Sequence, residues 1–293
     1  MRLDLIGVPY TSMAKPGGIA DAIRVLRDAA LAERLAAAGD VRDAGDLEQI
    51  AGDAVRGPSG LLKERALARL VDATHQAAGR SLDQGHRPLL VGADCPVLLG
   101  PLAAGRDRHG QIGLLMVDGH EDAWPPRQSK TGEASDSELA IALGIVEGLP
   151  EPLAQLTPLL DRRAVAMLGP RDREELAEAN VESLRESVAL FRDDEAVRAN
   201  GPSASAGDAI NALGPSFWLH VDLDVLRTED FPAADYLQPG GLSWGELAEI
   251  AEAALTDPRC LGCSVVIYNP DLDPDRTCAE RIVRFLAELV MTT

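Results

Sequence analysis

Basic residues, aromatic residues and long apolar runs are all scarce in this 293-residue sequence. It has 28 lysines and arginines against 47 aspartates and glutamates, so its net charge is −19 and its pI is near 4.6. Nucleic acids and anionic membrane surfaces require a basic patch, which argues against both as partners. Aromatic residues are only 3% of the chain, so alanine, leucine and valine must build the core.

Membrane-spanning, secretory and disulfide-rich patterns are also missing. No apolar run reaches the roughly 20 residues of a bilayer-spanning helix, and the first residues lack the basic and apolar segments of a secretory signal. Four cysteines are too few for a disulfide scaffold at this length. Cys260 and Cys263 have CxxC spacing without a second pair of ligands, so we interpret them as small buried residues that lead into a strand. These absences predict a soluble, cytoplasmic protein.

Strand-like apolar segments alternate with helical segments along the whole chain, and no break in composition marks a linker. Short, nearly all-apolar strands are typical of a mainly parallel sheet covered by helices on both faces. The sequence therefore predicts an α/β fold of three layers, formed by one domain over residues 1–293. The predicted strands are 3–8, 41–46, 87–91, 111–117, 164–168, 188–190, 217–221 and 263–268. The predicted helices are 20–38 (with Gly39 after its end), 61–84, one from about 96, 136–148, 173–179, 193–212, 243–255 and 275–291.

Two of the predicted strands end in closely spaced side chains of the kinds that bind metal ions. Asp118, His120 and Asp122 follow one strand at intervals of two residues, and Asp222 and Asp224 follow another. Alternate residues of an extended strand point to one face, so each cluster can direct its side chains into one pocket. Carboxylates are rarely buried unless they are paired or bind a cation. Both clusters also follow strands of a predicted parallel sheet, where ligands usually bind.

This oxygen-rich set with one imidazole suits manganese or a similar divalent ion. Two bridging aspartates would hold two ions, and two-metal sites activate water for hydrolysis at neutral pH. Such a reaction needs no protein nucleophile. The sequence has no P-loop and no GxGxxG motif, which weakens NTPase and dehydrogenase interpretations.

The identity and order of these motifs resemble the arginase/agmatinase (ureohydrolase) family over nearly the whole chain. The family motif Asp-Ala-His-x-Asp corresponds to residues 118–122, and its Asp-x-Asp motif to residues 222–224. Further matches are the opening IGVPY with Gly17-Gly18, Gly45-Asp46, Gly-Pro-Arg-Asp at 169–172, Pro-Gly-Gly-Leu-Ser at 239–243 and Asn269-Pro270. The resemblance implies a three-layer α/β fold with two manganese ions that hydrolyses a C–N bond of a small guanidino or amidino compound. It also implies a trimer or hexamer.

The resemblance also implies roles for the individual ligands. Asp118 and Asp222 would bridge the two ions, which makes Asp118 a catalytic candidate as well as a ligand. His120 and Asp224 would complete the shell of one ion, and Asp122 that of the other.

The first departure from the family is at Cys95. The family's first motif is Gly-Gly-Asp-His, with histidine as a metal ligand, whereas this chain reads Gly92-Ala-Asp-Cys95. A thiolate can bind a divalent ion, and this softer ligand would shift the preference towards zinc, iron or cobalt. Alternatively, Cys95 is a small buried residue and that ion is weakly held or lost.

The second departure is in the loop after Asp122. Arginases have there a histidine thought to shuttle protons, but this chain reads Thr131-Gly-Glu-Ala-Ser-Asp136. Glu133 or Asp136 could act as general acid, because a carboxyl group beside a metal site can have a tuned pKa. Either could instead cap the next helix. We take Glu133 as the catalytic candidate.

The third departure precedes Asn269-Pro270, where the family has a glutamate that holds the guanidinium group. This chain has Ile267-Tyr268 instead, so a bidentate carboxylate clamp is missing. Unmodified arginine and agmatine are therefore less suitable substrates. Cysteine at position 95 is also similar to the hydroxyarginine hydrolase of cycloserine biosynthesis, which makes N-hydroxyarginine the specific candidate.

The roles of three further polar residues are inferred from their positions in the sequence. Asp172 and Glu174 fall near the family's ammonium-binding acids and are candidate substrate-binding residues, although acids in the first turn of a helix are an equally good account. His220 directly precedes the second cluster, and we interpret it as structural.

The sequence thus predicts a metal-dependent hydrolase of a modified guanidino compound, with plain arginase or agmatinase activity as the runner-up. The alternative from another class is a catalytically impaired protein that keeps the fold and acts as a binding or regulatory subunit. Three departures together favour that alternative. Retention of five other ligand-type residues opposes it, because clustered buried carboxylates are costly without a cation.

Overall fold

One sheet runs through the part of the chain that the computed structural model describes, residues 2–15 and 18–292. In these residues it has eight strands, paired in parallel throughout, in the order β2-β1-β3-β8-β7-β4-β5-β6. The strands are β1 Leu3–Gly7, β2 Val41–Asp46, β3 Arg87–Val91, β4 Gly113–Val117, β5 Val165–Gly169, β6 Leu190–Asp193, β7 Phe217–Asp222 and β8 Cys260–Val266. Gly17 of the predicted opening motif lies outside the described residues.

Helices cover both faces of the sheet, so the predicted three-layer α/β sandwich is confirmed. The helices are α1 Ala22–Asp28, α2 Leu31–Ala38, α3 Glu64–Asp83, α4 Leu99–His109, α5 Glu138–Ala142, α6 Leu153–Leu156, α7 Arg173–Glu178, α8 Asp194–Asn200, α9 Pro202–Ala212, α10 Trp244–Thr256 and α11 Thr277–Thr292. Strands β3, β4, β5 and β7 are buried along their whole length, which explains their continuous apolar sequences. Within the described ranges, no helix has both the length and the apolarity needed to cross a membrane.

Two predicted helices are wrong in extent. The predicted helix 20–38 is two helices, because Ala30 adopts a left-handed φ of 64° between α1 and α2. Gly39 is extended at φ −172° and does not provide a left-handed cap. The predicted helix 136–148 is reduced to α5, and Gly144 at φ 71° follows its end. A left-handed residue stops the helical hydrogen-bond ladder, and composition alone does not reveal this for alanine.

Strand β8 begins three residues earlier than predicted and contains both cysteines of the CxxC pair. Cys260 and Cys263 are buried, as predicted, but they lie within the strand and do not precede it. A Cβ atom on Gly262 would lie 2.5 Å from the ring of Trp218 on β7. Close packing of the tryptophan against the neighbouring strand therefore accounts for the glycine between the cysteines.

The start of α10 is a capping box, formed by Ser243 and Glu246. The Ser243 hydroxyl accepts a hydrogen bond from the backbone N–H of Glu246, and the Glu246 carboxylate accepts one from the backbone N–H of Ser243. Residues 241–245 also have the GxSxG form of a serine-hydrolase motif. The capping role accounts for this serine structurally.

The last two strands of the chain lie between β3 and β4. Because the strands are parallel, the carboxyl ends of β3, β8, β7 and β4 meet at one edge of the sheet. Each of these ends continues into a segment that the sequence analysis singled out. They are residues 92–95, 267–270, 222–224 and 118–122, in the same order.

Candidate metal centre

The six predicted metal ligands lie at the carboxyl ends of three strands in the middle of the sheet, β3, β7 and β4. Cys95 follows β3, Asp118 to Asp122 follow β4, and Asp222 and Asp224 end and follow β7. The ligands are buried except His120, whose side chain is 14% exposed. They are Cys95, Asp118, His120, Asp122, Asp222 and Asp224.

Backbone amides hold three of the carboxylates in place. The N–H of His120 donates to Oδ1 of Asp118 at 2.8 Å, and the N–H of Asp224 donates to Oδ1 of Asp222 at 2.7 Å. The N–H of Gly119 donates to Oδ1 of Asp224 at 3.1 Å, which joins the two clusters. Such contacts orient ligands before an ion binds.

Direct contacts also link the predicted ligands to each other. Nδ1 of His120 lies 3.0 Å from Oδ2 of Asp224 and 3.9 Å from Oδ1 of Asp118. The thiol of Cys95 donates to Oδ2 of Asp222 at 2.8 Å. The structure therefore brings one imidazole and one thiol into contact with carboxylates that lie more than 100 residues further along the chain.

The donor atoms of this region fit a cation. In the described residues, three groups have ligand atoms within 4.8 Å of one another. They are Cys95–Asp118–His220, Cys95–Asp118–Asp122–Glu138 and Asp118–His120–Asp224. Asp118 belongs to all three groups, and its buried Oδ2 has no hydrogen-bond partner among the residues described. A cation would satisfy this oxygen, because a buried carboxylate atom without a partner is costly.

Electrostatics also favour a cation at this position. Burial raises the pKa of Asp118 and of Asp222 well above the usual range, and the nearby charge of Asp224 adds to the effect. Burial alone would lower the pKa of His120, but Asp224 reverses this and raises it to about 10. Burial also acts to raise the pKa of Asp224, but the charge of His120 outweighs it and lowers the pKa below its usual value. The cluster is a concentration of negative charge in which His120 supplies the positive charge.

Two acid–base residues of the cluster were not predicted as ligands. Glu138, at the start of α5, is fully buried, and its carboxyl group pairs with that of Asp122. His220, which was interpreted as structural, contributes to the group with Cys95 and Asp118. Glu138 opens an ordinary short helix and carried no motif. The signal for His220 was its position two residues before Asp222, on the same face of β7.

Three non-glycine residues with left-handed backbone surround the cluster. Ala93, Asp122 and Ile267 have φ values of 64°, 45° and 74°. For a β-branched residue such as Ile267 this conformation is an outlier that costs of order 1–3 kcal/mol. The backbone N–H of Ile267 donates to the carbonyl oxygen of Ala93 at 3.1 Å, which ties the end of β8 to the end of β3. The strained positions are thus part of the frame that holds the ligands.

A cavity of about 440 Å³ opens above the cluster. Its floor includes His120, Asp222 and Ile267, and its walls come from the loops that follow β4 and β7. Its lining residues are Cys95, His120, Asp122, Trp124, Ser129, Lys130, Thr131, Ser135, Asp136, Glu175, Asp222, Asp224, Asp235, Tyr236, Leu237, Gln238 and Ile267. The volume suits a small molecule.

The catalytic candidate Glu133 is not among the residues that line this cavity, but it is hydrogen-bonded to Tyr236, which does line it. It is 5% exposed, and the hydroxyl of Tyr236 donates to its Oε2 at 3.0 Å. Burial raises its pKa to about 7, although the hydrogen bond from Tyr236 acts in the opposite direction. Asp136, the other acid of the loop, lines the cavity but accepts hydrogen bonds from Ser129 and Thr131 through Oδ2. Asp136 therefore organises its own loop, while Glu133 has a pKa suited to proton transfer near neutrality.

The two predicted substrate-binding acids differ in position. Asp172 is buried, and its Oδ2 accepts from the backbone N–H of Glu121 at 3.1 Å. Glu174 is exposed on α7 and does not line the cavity. Its neighbour Glu175 does, and Glu175 also accepts from the side chain of Gln238 at 3.0 Å.

Comparison with known proteins places this arrangement in a family. The model of the arginase family matches residues 2–292. The chain belongs to the arginase family. It is 25% identical to the arginase of Bacillus caldovelox over 296 residues, which covers 98% of this chain and 97% of that protein. It is 27% identical to the N(omega)-hydroxy-L-arginine amidinohydrolase of Streptomyces lavendulae over 220 residues, covering 74% of this chain and 73% of that protein.

The fold of this arginase-family member also matches a solved arginase. The crystal structure of arginase from Bacillus cereus superimposes with a TM-score of 0.83 at 22% identity, and the match covers 99% of this chain and 98% of that one. The sequence analysis expects departures from the arginase-family pattern at Cys95, Glu133 and Ile267. Cys95 and Ile267 line the same cavity, and Glu133 accepts a hydrogen bond from Tyr236, which also lines it.

Proposed function

We propose that this arginase-family protein is a metal-dependent amidinohydrolase for a modified guanidino compound, with N-hydroxyarginine as the candidate substrate. The observation that supports it most is the cluster of ligand-type side chains around Oδ2 of Asp118, which has no hydrogen-bond partner among the described residues and lies near a cavity of small-molecule size. The family match favours this hydrolase over a catalytically impaired binding subunit.

The substrate proposal rests on the cavity floor. Ile267 lines the cavity where the family resemblance would put a guanidinium-binding glutamate. An apolar side chain cannot make the bidentate contact that a planar cation requires. The electron-withdrawing hydroxyl makes an N-hydroxyguanidino group less basic than a guanidino group, so its binding depends less on that clamp. The relative from Streptomyces lavendulae, by its name, acts on such a compound.

Two divalent ions, manganese by the family resemblance, fit the donor set. Asp118 and Asp222 would contact both ions, His120 and Asp224 one of them, and Cys95 and Asp122 the other. When bound, the ions would supply a water activated for attack on the guanidino carbon.

The side chains around the ions bind the substrate and move its protons. Glu133, protonated near neutral pH, donates a proton to the departing amine. Tyr236 holds the carboxyl group of Glu133 in position through its hydrogen bond. Addition of water across the C–N bond of N-hydroxyarginine then gives ornithine and hydroxyurea. Asp172 and Glu174 remain the proposed partners of the substrate's ammonium group, although only Glu175 of this acidic segment lines the cavity.

The remaining predictions complete the proposal. We infer that one domain over residues 1–293 carries the activity, that the protein forms a trimer or hexamer, and that it acts in the cytoplasm. Its partners would be small substrates, with no nucleic acid or membrane surface, in keeping with the net charge of −19.

Turnover of a substrate panel tests the proposal. Purified protein would be loaded with manganese and incubated with arginine, agmatine, N-hydroxyarginine, guanidinobutyrate and formiminoglutamate, with products identified by mass spectrometry. Hydroxyurea and ornithine from N-hydroxyarginine, lost in Asp118→Ala, are the expected result. A substitution of an exposed acid, Glu249→Ala, serves as the matched control.

The metal content separates the ways in which the proposal can fail. Two ions per chain with cleavage of arginine alone would overturn the substrate but keep the hydrolase. No bound ion and no turnover would overturn the hydrolase in favour of a binding subunit.

A further inference from the structure

His220 is a fully buried imidazole that the roles above leave unused. It lies on β7 two residues before Asp222, so the two side chains share a face of the strand. Its Nδ1 lies 2.7 Å from Oγ of Ser264 on the neighbouring strand. Its Nε2 has no hydrogen-bond partner among the described residues. A structural role accounts for one ring nitrogen only.

The neighbours of His220 are metal-ligand types. A ring nitrogen of His220, the sulfur of Cys95 and a carboxylate oxygen of Asp118 lie within 4.8 Å of one another. All three residues are buried. Asp118 also has an oxygen without a partner in residues 2–15 and 18–292. Two orphaned polar atoms in one buried group are expensive unless a third species contacts them.

The partners of Ser264 orient the imidazole. The indole N–H of Trp218 donates to Oγ of Ser264 at 3.0 Å, so the serine oxygen is an acceptor there. This oxygen has a second lone pair, which can accept an N–H from Nδ1 of His220. In that tautomer, Nε2 presents a lone pair. A hydrogen bond at one nitrogen that leaves the other free is the usual arrangement of a metal-binding histidine.

We propose that His220 is the imidazole ligand of the ion held by Cys95 and Asp118, and that this ion is of the zinc type. In the family motif, a histidine at position 95 would supply the imidazole of this site. In this chain, His220 of β7 supplies it instead. Thiolate, imidazole and carboxylate form a borderline-soft donor set that favours zinc or cobalt, whereas the group of Asp118, His120 and Asp224 is harder. The centre is then asymmetric, with one zinc-type and one manganese-type position. The inference rests on the metal centre of the proposed function but not on its substrate.

Metal binding to the metal-free protein tests this inference. Zinc affinity would be measured by competition with a chelator for the wild-type protein, His220→Gln and Cys95→Ser. We expect each variant to lose on the order of 100-fold in zinc affinity, since outer-shell partners alone contribute roughly 10- to 100-fold. The control is His109→Gln at the exposed end of α4, for which wild-type affinity is expected. Glu138→Gln alters the group formed by Cys95, Asp118, Asp122 and Glu138. We expect it to lower the zinc affinity less than His220→Gln does.

Cobalt absorption reports on the sulfur ligand separately. The sulfur-to-cobalt charge-transfer band is expected in the wild type and in His220→Gln, at higher cobalt concentration in the variant, and its loss is expected in Cys95→Ser. Wild-type zinc affinity in His220→Gln would overturn the proposal. So would a larger loss in Glu138→Gln than in His220→Gln.

X-ray absorption at the zinc edge covers the case in which His220→Gln does not fold. The wild-type protein loaded with two zinc ions should have one sulfur ligand and two imidazoles, from His120 and His220. A single imidazole per two ions would overturn the proposal. If the wild type turns over substrate with two ions but lacks the second imidazole, this inference fails while the proposed function stands. If the wild type binds no ion, both fail.

Discussion

The hydroxyl of Tyr236 donates a 3.0 Å hydrogen bond to Oε2 of Glu133 and joins the loop after β7 to the loop after β4. Burial raises the pKa of Glu133 to about 7 in spite of this hydrogen bond, which favours the ionised form. The carboxyl group is therefore partly protonated at neutral pH. This is the condition for a general acid that works near neutrality.

Glu133→Gln is expected to lower kcat by roughly 100-fold, because general acid catalysis contributes about 10²- to 10⁴-fold. The protonated form of Glu133 is the active one, so wild-type kcat should fall as the pH rises through about 7. That decline should be absent in the variant. A pH profile of kcat for both proteins checks this. An unchanged alkaline decline in Glu133→Gln would assign the titration to another group.

Tyr236→Phe is the companion test. Loss of the hydrogen bond removes a contact that lowers the pKa of Glu133, so the decline in kcat should shift to higher pH. A shift to lower pH would contradict the assigned direction of the hydrogen bond.

Asp222→Asn is expected to stabilise the metal-free protein and to destabilise the metal-loaded one. Burial and the charges of Asp224 and Asp118 raise the pKa of Asp222, so the folded state holds its proton more tightly than the unfolded state. Stability of the metal-free wild type must then fall as the pH rises above the unfolded pKa. At pH 8 without metal, the variant should melt roughly 3–5 °C higher, equivalent to about 1–2 kcal/mol.

Added metal should reverse this order, because an ion stabilises only the protein that still has its ligand. Melting curves with chelator and with excess manganese provide the comparison. Equal metal-dependent increases in Tm for both proteins would exclude Asp222 as a ligand.

Ile267→Glu is expected to improve the hydrolysis of unmodified arginine. A carboxylate at this cavity position can contact a guanidinium group, and hydrogen bonds to charged groups contribute about 1.5–3 kcal/mol, or roughly 10- to 100-fold in kcat/KM. Ile267→Gln is the matched control, since it has the same length and the same left-handed backbone without the charge. If both variants hydrolyse arginine with the same kcat/KM, the missing carboxylate clamp does not determine the substrate.

Asp4→Asn tests how much a buried carboxylate on β1, outside the candidate metal centre, contributes to the stability of the fold. Buried Asp4 on β1 lies 2.5 Å from Nη2 of Arg42 and 3.1 Å from Nδ1 of His86. Burial acts to raise its pKa, but the contacts with Arg42 outweigh this and lower it below 3.8. Asp4 thus stabilises the fold above pH 3.8 and loses this effect as the pH falls through its folded pKa.

The expected cost of Asp4→Asn is about 1–2 kcal/mol in the free energy of unfolding at pH 7, since Arg42 is partly exposed. Urea unfolding at pH 7 and at pH 3 measures it. The difference between variant and wild type should shrink at the lower pH, and a difference that grows there would refute the assignment.

Local patterns in the sequence were sufficient to predict the fold class and to single out five ligand-type residues that the structure brings to one region. Asp118, His120 and Asp122 lie at intervals of two after an apolar run, and the alternation of a strand directs such residues to one side. The alternation of apolar strands and helices is likewise local, and it predicted the parallel sheet. The helix end at Ala30 was missed, because the residue type of alanine does not indicate left-handed backbone. The end near Gly144 was missed although glycine adopts this conformation readily.

The neighbours of those ligands were decided by tertiary structure alone. β7 and β8 lie between β3 and β4, and only this order brings Cys95 within 2.8 Å of Asp222. Glu138, Tyr236 and His220 join the site for the same reason. A motif predicts which side chains one strand directs to one face, but strand order depends on how the whole chain buries its apolar surface. The contacts across strands at this site are a consequence of that packing.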